Sequence, residues 1–96
     1  MVRLKMYIVN GSAQSQEKVE TFRRMLEEAL GRDYHLEILD IMENLEAALK
    51  DNVLATPTVI KSHPAPIRKI IGDLRDCEKI LKELGLGRGS PDFQNA

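Results

Sequence analysis

One cysteine, Cys77, stands in the 96 residues, so the chain can form no internal disulfide. That usage fits a reducing compartment. Nowhere does an apolar run approach the roughly 20 residues that a membrane-spanning helix needs. The opening Met1-Val2-Arg3-Leu4-Lys5 passes straight into an alternating pattern, without a small-residue cleavage site, and does not read as a signal peptide. A cytoplasmic address is the expectation. An excess of charge of one sign is missing too: Lys plus Arg is 14 and Asp plus Glu is 15. Nothing in that balance draws the chain to nucleic acid or to an anionic membrane. His35, His63 and Cys77 fall into no metal-ligand spacing, and no cofactor is expected. A chain this short makes one domain with one modest core.

What is present is an alternation of strand and helix patterns. Residues 2 to 9 have period two, with Leu4, Met6 and Ile8 on one side and Lys5, Tyr7 and Val9 on the other. Asn10-Gly11-Ser12 is turn chemistry. A helix is predicted from Ser15 to Leu30, with a stripe of Val19, Phe22, Leu26, Ala29 and Leu30. Ser15 reads as its cap, Glu17 as a charge suited to the positive end of its dipole, and Gly31 as its stop. A second strand runs from His35 to Ile41. A short helix over residues 43 to 50 places Leu45, Ala48 and Leu49 at helical spacing. Thr58-Val59-Ile60 is a β-branched strand run, residues 62 to 66 form a turn, and Ile67 to Ile71 form the fourth strand. Asp73 caps a last helix whose seam is Cys77, Ile80, Leu81 and Leu84, and Gly85 ends it. The domain is set at residues 1–86. The stretch 87–96 is turn-rich and aperiodic and reads as a disordered tail.

The order is therefore βαβαββα. A strand–helix–strand unit favours a parallel pair, and a short turn makes the last two strands antiparallel. The expected fold is α/β: a thioredoxin-like mixed four-stranded sheet with helices on both faces. A redox dithiol would sit at the start of the first helix, but that stretch reads Ser12-Ala13-Gln14-Ser15, and serine cannot cycle through a disulfide. Cys77, on an apolar seam, reads as a buried structural cysteine rather than a reactive one. Asp73 and Asp76 read as a cap and a first-turn charge. No nucleophile, base and orienter assemble, so no enzyme is expected. Thr56-Pro57-Thr58 stands at the entrance of the third strand, where thioredoxin-like folds place a cis peptide bond. A cis Pro57 is favoured over an ordinary trans proline.

Three segments resemble the bacterial clock protein family KaiB: Leu4 to Val9, Val53 to Thr58, and Arg68 to Leu74. The resemblance covers residues 4 to 84, and the Leu-Ala-Thr-Pro-Thr and Ile-Ile-Gly-Asp-Leu blocks are specific together. It implies a non-enzymatic protein that binds the ATPase KaiC. In clock members the complex captures KaiA and competes with a histidine kinase. It also implies two fold states, one thioredoxin-like and binding-competent, the other a tetramer with a rearranged C-terminal half.

The chain departs from the clock pattern in two places. By the resemblance, clock members carry lysine at the positions of Glu37 and Asn52, on the surface that meets KaiC, and the reversed charge at Glu37 implies a changed partner preference. With His35, these are the expected partner-binding residues. Clock members also carry Gly and Asp at the positions of Glu83 and Gly85. Glu inside a helix and Gly just after it both favour a helix ending at Leu84, hence a thioredoxin-like monomer. The rival readings are a divergent paralogue with another partner, in a stress response, and a redox protein working through Cys77 alone.

Overall fold

The computed structural model describes residues 1–9, 13–72 and 77–86. The turn expected at residues 10–12, the cap expected at Asp73, the first-turn charge expected at Asp76 and the tail expected at 87–96 lie outside the described residues, as does the side chain of Cys77. The elements are β1 (Val2–Ile8), α1 (Ala13–Leu30), β2 (Tyr34–Asp40), α2 (Leu45–Lys50), β3 (Thr58–His63), β4 (Arg68–Ile71) and α3 (Cys77–Glu83). The sheet order is β2-β1-β3-β4. β1 runs parallel to β2 and antiparallel to β3, and β3 runs antiparallel to β4. This is the anticipated mixed sheet, with β2 and β4 at its edges.

The period of β1 builds two cores, one on each face. Val2, Leu4, Met6 and Ile8 pack with Phe22, Met25 and Leu26 of α1 and with Ile80 and Leu84 at α3. Tyr7, between them in the chain, faces the other way and packs with Ala48, Val53 and Ile60. Helices therefore cover both faces, and burial of these apolar side chains drives their docking. The Thr56–Pro57, His63–Pro64 and Ala65–Pro66 bonds are cis.

Each helix ends in a left-handed residue that satisfies otherwise orphaned carbonyls. Gly31 (φ 64) donates its N–H to the Glu27 carbonyl at 2.8 Å. After α3, Gly85 (φ 76) donates to Lys82 at 3.0 Å and Leu86 to Leu81 at 2.7 Å, the paired bonds of a Schellman cap. α2 closes in the same way, with Asn52 (φ 56) donating to Leu49 at 3.1 Å and Val53 to Ala48 at 2.9 Å.

Several expectations need correction. α1 starts at Ala13, so Ser15 is inside the helix and does not cap it. Its hydroxyl instead donates to the Val9 carbonyl at 2.7 Å. Glu17 lies beyond the first turn. In α2 only Ala48 is buried, while Leu45 and Leu49 are exposed, because a six-residue helix shows the sheet barely one turn of surface. β3 runs on to His63 and buries Lys61, where the sequence reading placed a turn from Ser62. Ile67 lies before β4 and is exposed.

Candidate protein-binding face

β2 is an edge strand, so one row of its backbone groups has no neighbouring strand among the described residues. Its side chains alternate. Tyr34, Leu36 and Ile38 pack toward the α1 core. His35 and Glu37 emerge on the α2 face and are exposed. The register sets His35 opposite Arg3 and Glu37 opposite Lys5. Lys5 Nζ in turn lies 3.4 Å from Asp51 Oδ2, in the residue that caps α2. Asn52 follows directly. Glu37 and Asn52 thus belong to one face, joined through Lys5 and Asp51, and His35 lies two residues further along β2.

Asn52 is exposed, and its conformation has a local cause. It occupies the left-handed position of the α2 Schellman cap, which asparagine tolerates better than most side chains. The ε-amine of Lys69 donates to the Asp51 and Asn52 carbonyls at 2.8 and 3.0 Å. A cation there also complements the negative end of the helix dipole.

Beneath this surface lies Tyr7, fully buried, whose hydroxyl donates to Asp51 Oδ2 at 2.6 Å. Its pKa is pushed far above the ordinary tyrosine range, first by burial, then by the Asp51 hydrogen bond and the charges of Asp51 and Glu37. The phenol remains a proton donor at any physiological pH. Reading the sequence alone missed Tyr7, Lys5, Asp51 and Lys69. The available signal was Tyr7 itself: a tyrosine on an inward-facing strand position needs a partner for its hydroxyl.

The chain leaves apolar side chains exposed beside this network. Leu49 is 73% and Leu54 88% exposed, so Leu54, inside the Val53 to Thr58 block, contributes nothing to the core. Among the described residues no group of three or more His, Cys, Asp or Glu could hold a metal ion, and no helix is long and apolar enough to cross a membrane. Glu83 is the last residue of α3, and Gly85 makes its cap.

Comparison with known proteins agrees with this architecture. A family model described as the KaiB domain matches residues 5–86. The circadian clock protein KaiB3 of Synechocystis sp. is 40% identical over 83 residues, covering 86% of this chain and 79% of that protein. The circadian clock oscillator protein KaiB of Microcystis aeruginosa is 42% identical over 83 residues, covering 86% and 80%. Among solved structures, the N-terminal domain of Synechococcus elongatus SasA superposes with a TM-score of 0.71 at 19% identity, covering 86% of this chain and 82% of that one. Mitochondrial thioredoxin 3 of Saccharomyces cerevisiae gives 0.67 at 15%, covering 86% and 76%. At those identities the two structures establish the thioredoxin-like fold.

Proposed function

The chain belongs to the KaiB family, and from that premise we propose that it is a non-enzymatic regulatory protein that binds a KaiC-type ATPase in a bacterial circadian or timing system. The observation that carries the reading is the match of the KaiB domain across residues 5–86, nearly all of the described fold. The binding surface in this proposal is the α2 face at the β2 edge: His35, Glu37 and Asn52, with Leu49 and Leu54 as the apolar contacts. Exposed apolar side chains rimmed by polar ones suit a protein partner. KaiA and a histidine kinase enter only through that complex. The domain working in this way is residues 1–86, and its place of action is the cytoplasm.

A second reading rests on one observation. Glu37 is exposed where clock members carry lysine, so the surface offers a negative charge to a partner that, in them, meets a positive one. This favours a divergent KaiC-type ATPase, or a different partner in a stress response. Binding of the purified chain to a KaiC-type ATPase in the presence of ATP tests both. Saturable binding that Leu54→Asp abolishes supports the proposal. No binding to a clock-type ATPase by either the natural chain or its Glu37→Lys variant refutes it.

A further inference from the structure

α1 and β2 leave a second feature on the opposite face of the sheet. Along the second half of α1, Phe22, Met25 and Leu26 reach into the core. Arg23 and Glu27, four residues apart, share the flank that looks toward the edge strand. Among the described residues no element lies beyond β2 to close that flank. The result is an open groove of about 670 Å³ with Arg23 and Glu27 of α1 and Arg32 of the following turn on one side and Tyr34, His35 and Leu36 of β2 on the other.

The groove has a defined chemistry. Two guanidinium groups line it in a chain whose net charge is −1. Guanidinium stays charged at all working pH and presents a planar fork that matches a carboxylate. The carboxylate already there, Glu27, accepts from the Tyr34 hydroxyl at 3.5 Å, the outer limit for such a bond. Burial and the Glu27 charge raise the Tyr34 pKa while Arg23 lowers it, so both charges act on that hydroxyl. Tyr34 is therefore a loosely engaged donor between a carboxylate and a guanidinium. The half-buried Leu36 and the Tyr34 ring supply an apolar strip between the charges.

We propose that this groove docks an extended acidic segment of a partner protein. Arg23 and Arg32 take its carboxylates, Tyr34 donates to one of them in place of Glu27, and an apolar side chain of the segment rests on Leu36. Charge complementarity favours this occupant. The strip between the arginines suits a peptide with alternating acidic and apolar residues better than a bare polyanion. The site lies across the sheet from Glu37 and Asn52 and borders the proposed ATPase face at His35, which lines both.

The probe is a capped peptide of alternating Glu and Leu, titrated into the isotope-labelled chain and followed by backbone amide shifts. Saturable shifts between Arg23 and Leu36 are expected, weakening as salt rises. The double variant Arg23→Ala/Arg32→Ala should lose at least about tenfold in affinity, and Tyr34→Phe a smaller factor. Both arginines lie outside the core, and an unchanged melting curve checks that the double variant folds. Lys5→Ala/Lys69→Ala, on the other face, should bind the peptide as the natural chain does. Shifts centred on Lys5 and Lys69, or affinity unaltered by the arginine replacements, would overturn the proposal. So would a single-stranded oligonucleotide or inorganic polyphosphate that binds this groove more tightly than the peptide.

Discussion

Tyr7 and Asp51 stand 44 residues apart in the chain and meet through a 2.6 Å hydrogen bond between a buried phenol and the carboxylate of the residue that caps α2. This bond fastens the end of α2, and with it Asn52 and Leu54, to the central strand of the sheet. The proposed partner face is held in place by a group that the surface does not show.

Stability at alkaline pH should report this bond. The unfolded chain releases the Tyr7 proton near the ordinary value of 10.0, whereas the folded protein keeps it well above that. The folded state then binds more protons, so its stability is complete below about pH 10 and declines as pH rises further. Tyr7→Phe should flatten that decline, leaving the part due to Tyr34, whose pKa is also raised. At neutral pH the same variant should lose about 1.5–3 kcal/mol, the worth of a hydrogen bond to a charged group. Urea unfolding at a series of pH values measures both, and a slope identical in the two proteins would refute the assignment.

Asn52 carries a structural duty besides its proposed role in binding. Asn52→Val should destabilise the fold by about 1–2 kcal/mol, because a β-branched residue resists the left-handed conformation. Asn52→Gly should be neutral or slightly stabilising. Thermal melting separates the two variants. If both bind the ATPase as the natural chain does, the Asn52 side chain has no part in recognition.

Charge at Glu37 should set partner preference. Glu37→Lys is expected to strengthen binding to a clock-type KaiC, with the largest gain at low salt, where exposed charges are least screened. The substitution also places a second ammonium opposite Lys5, a like-charge cross-strand pair that costs roughly a few tenths of a kcal/mol in stability. Titration by interferometry at two salt concentrations decides the question, and equal affinities at low salt would dismiss charge as the cause.

The end of α3 should govern the balance of fold states. Glu83→Gly removes a good helix former, and Gly85→Asp puts a side chain at φ 76 in the Schellman cap. Together they should cost the thioredoxin-like state about 1–2 kcal/mol, raising a rearranged minor state roughly 5–30-fold. Backbone chemical shifts over Cys77–Glu83 and sedimentation give the answer. An unchanged helical, monomeric species would show that these two positions do not control the fold.

Much of this architecture was written in local patterns. Period two in Val2–Ile8, the stripe through Phe22 and Leu26, and the glycines at 31 and 85 are each legible within a few residues, because strand alternation and helix caps are local physics. The βαβαββα order follows from them, and short connections restrict the topologies open to it. The resemblance also singled out His35 and Glu37, and the structure exposes both because they alternate with the half-buried Leu36 and Ile38 along β2. Only the tertiary structure decided the rest. Ser15 resembles a cap in any local window, but the start of α1 at Ala13 turns its hydroxyl to Val9. Lys61 breaks the apolar pattern of β3, yet pairing with β1 and β4 extends the strand through it. Leu45 and Leu49 look like core residues by spacing and are exposed because α2 is too short to bury more than one side. The Tyr7–Asp51–Lys5 network joins residues 44 and 46 positions apart, so no local pattern encodes it; the groove between Arg23 and Tyr34 joins neighbouring segments but opens only where α1 lies against the edge strand β2.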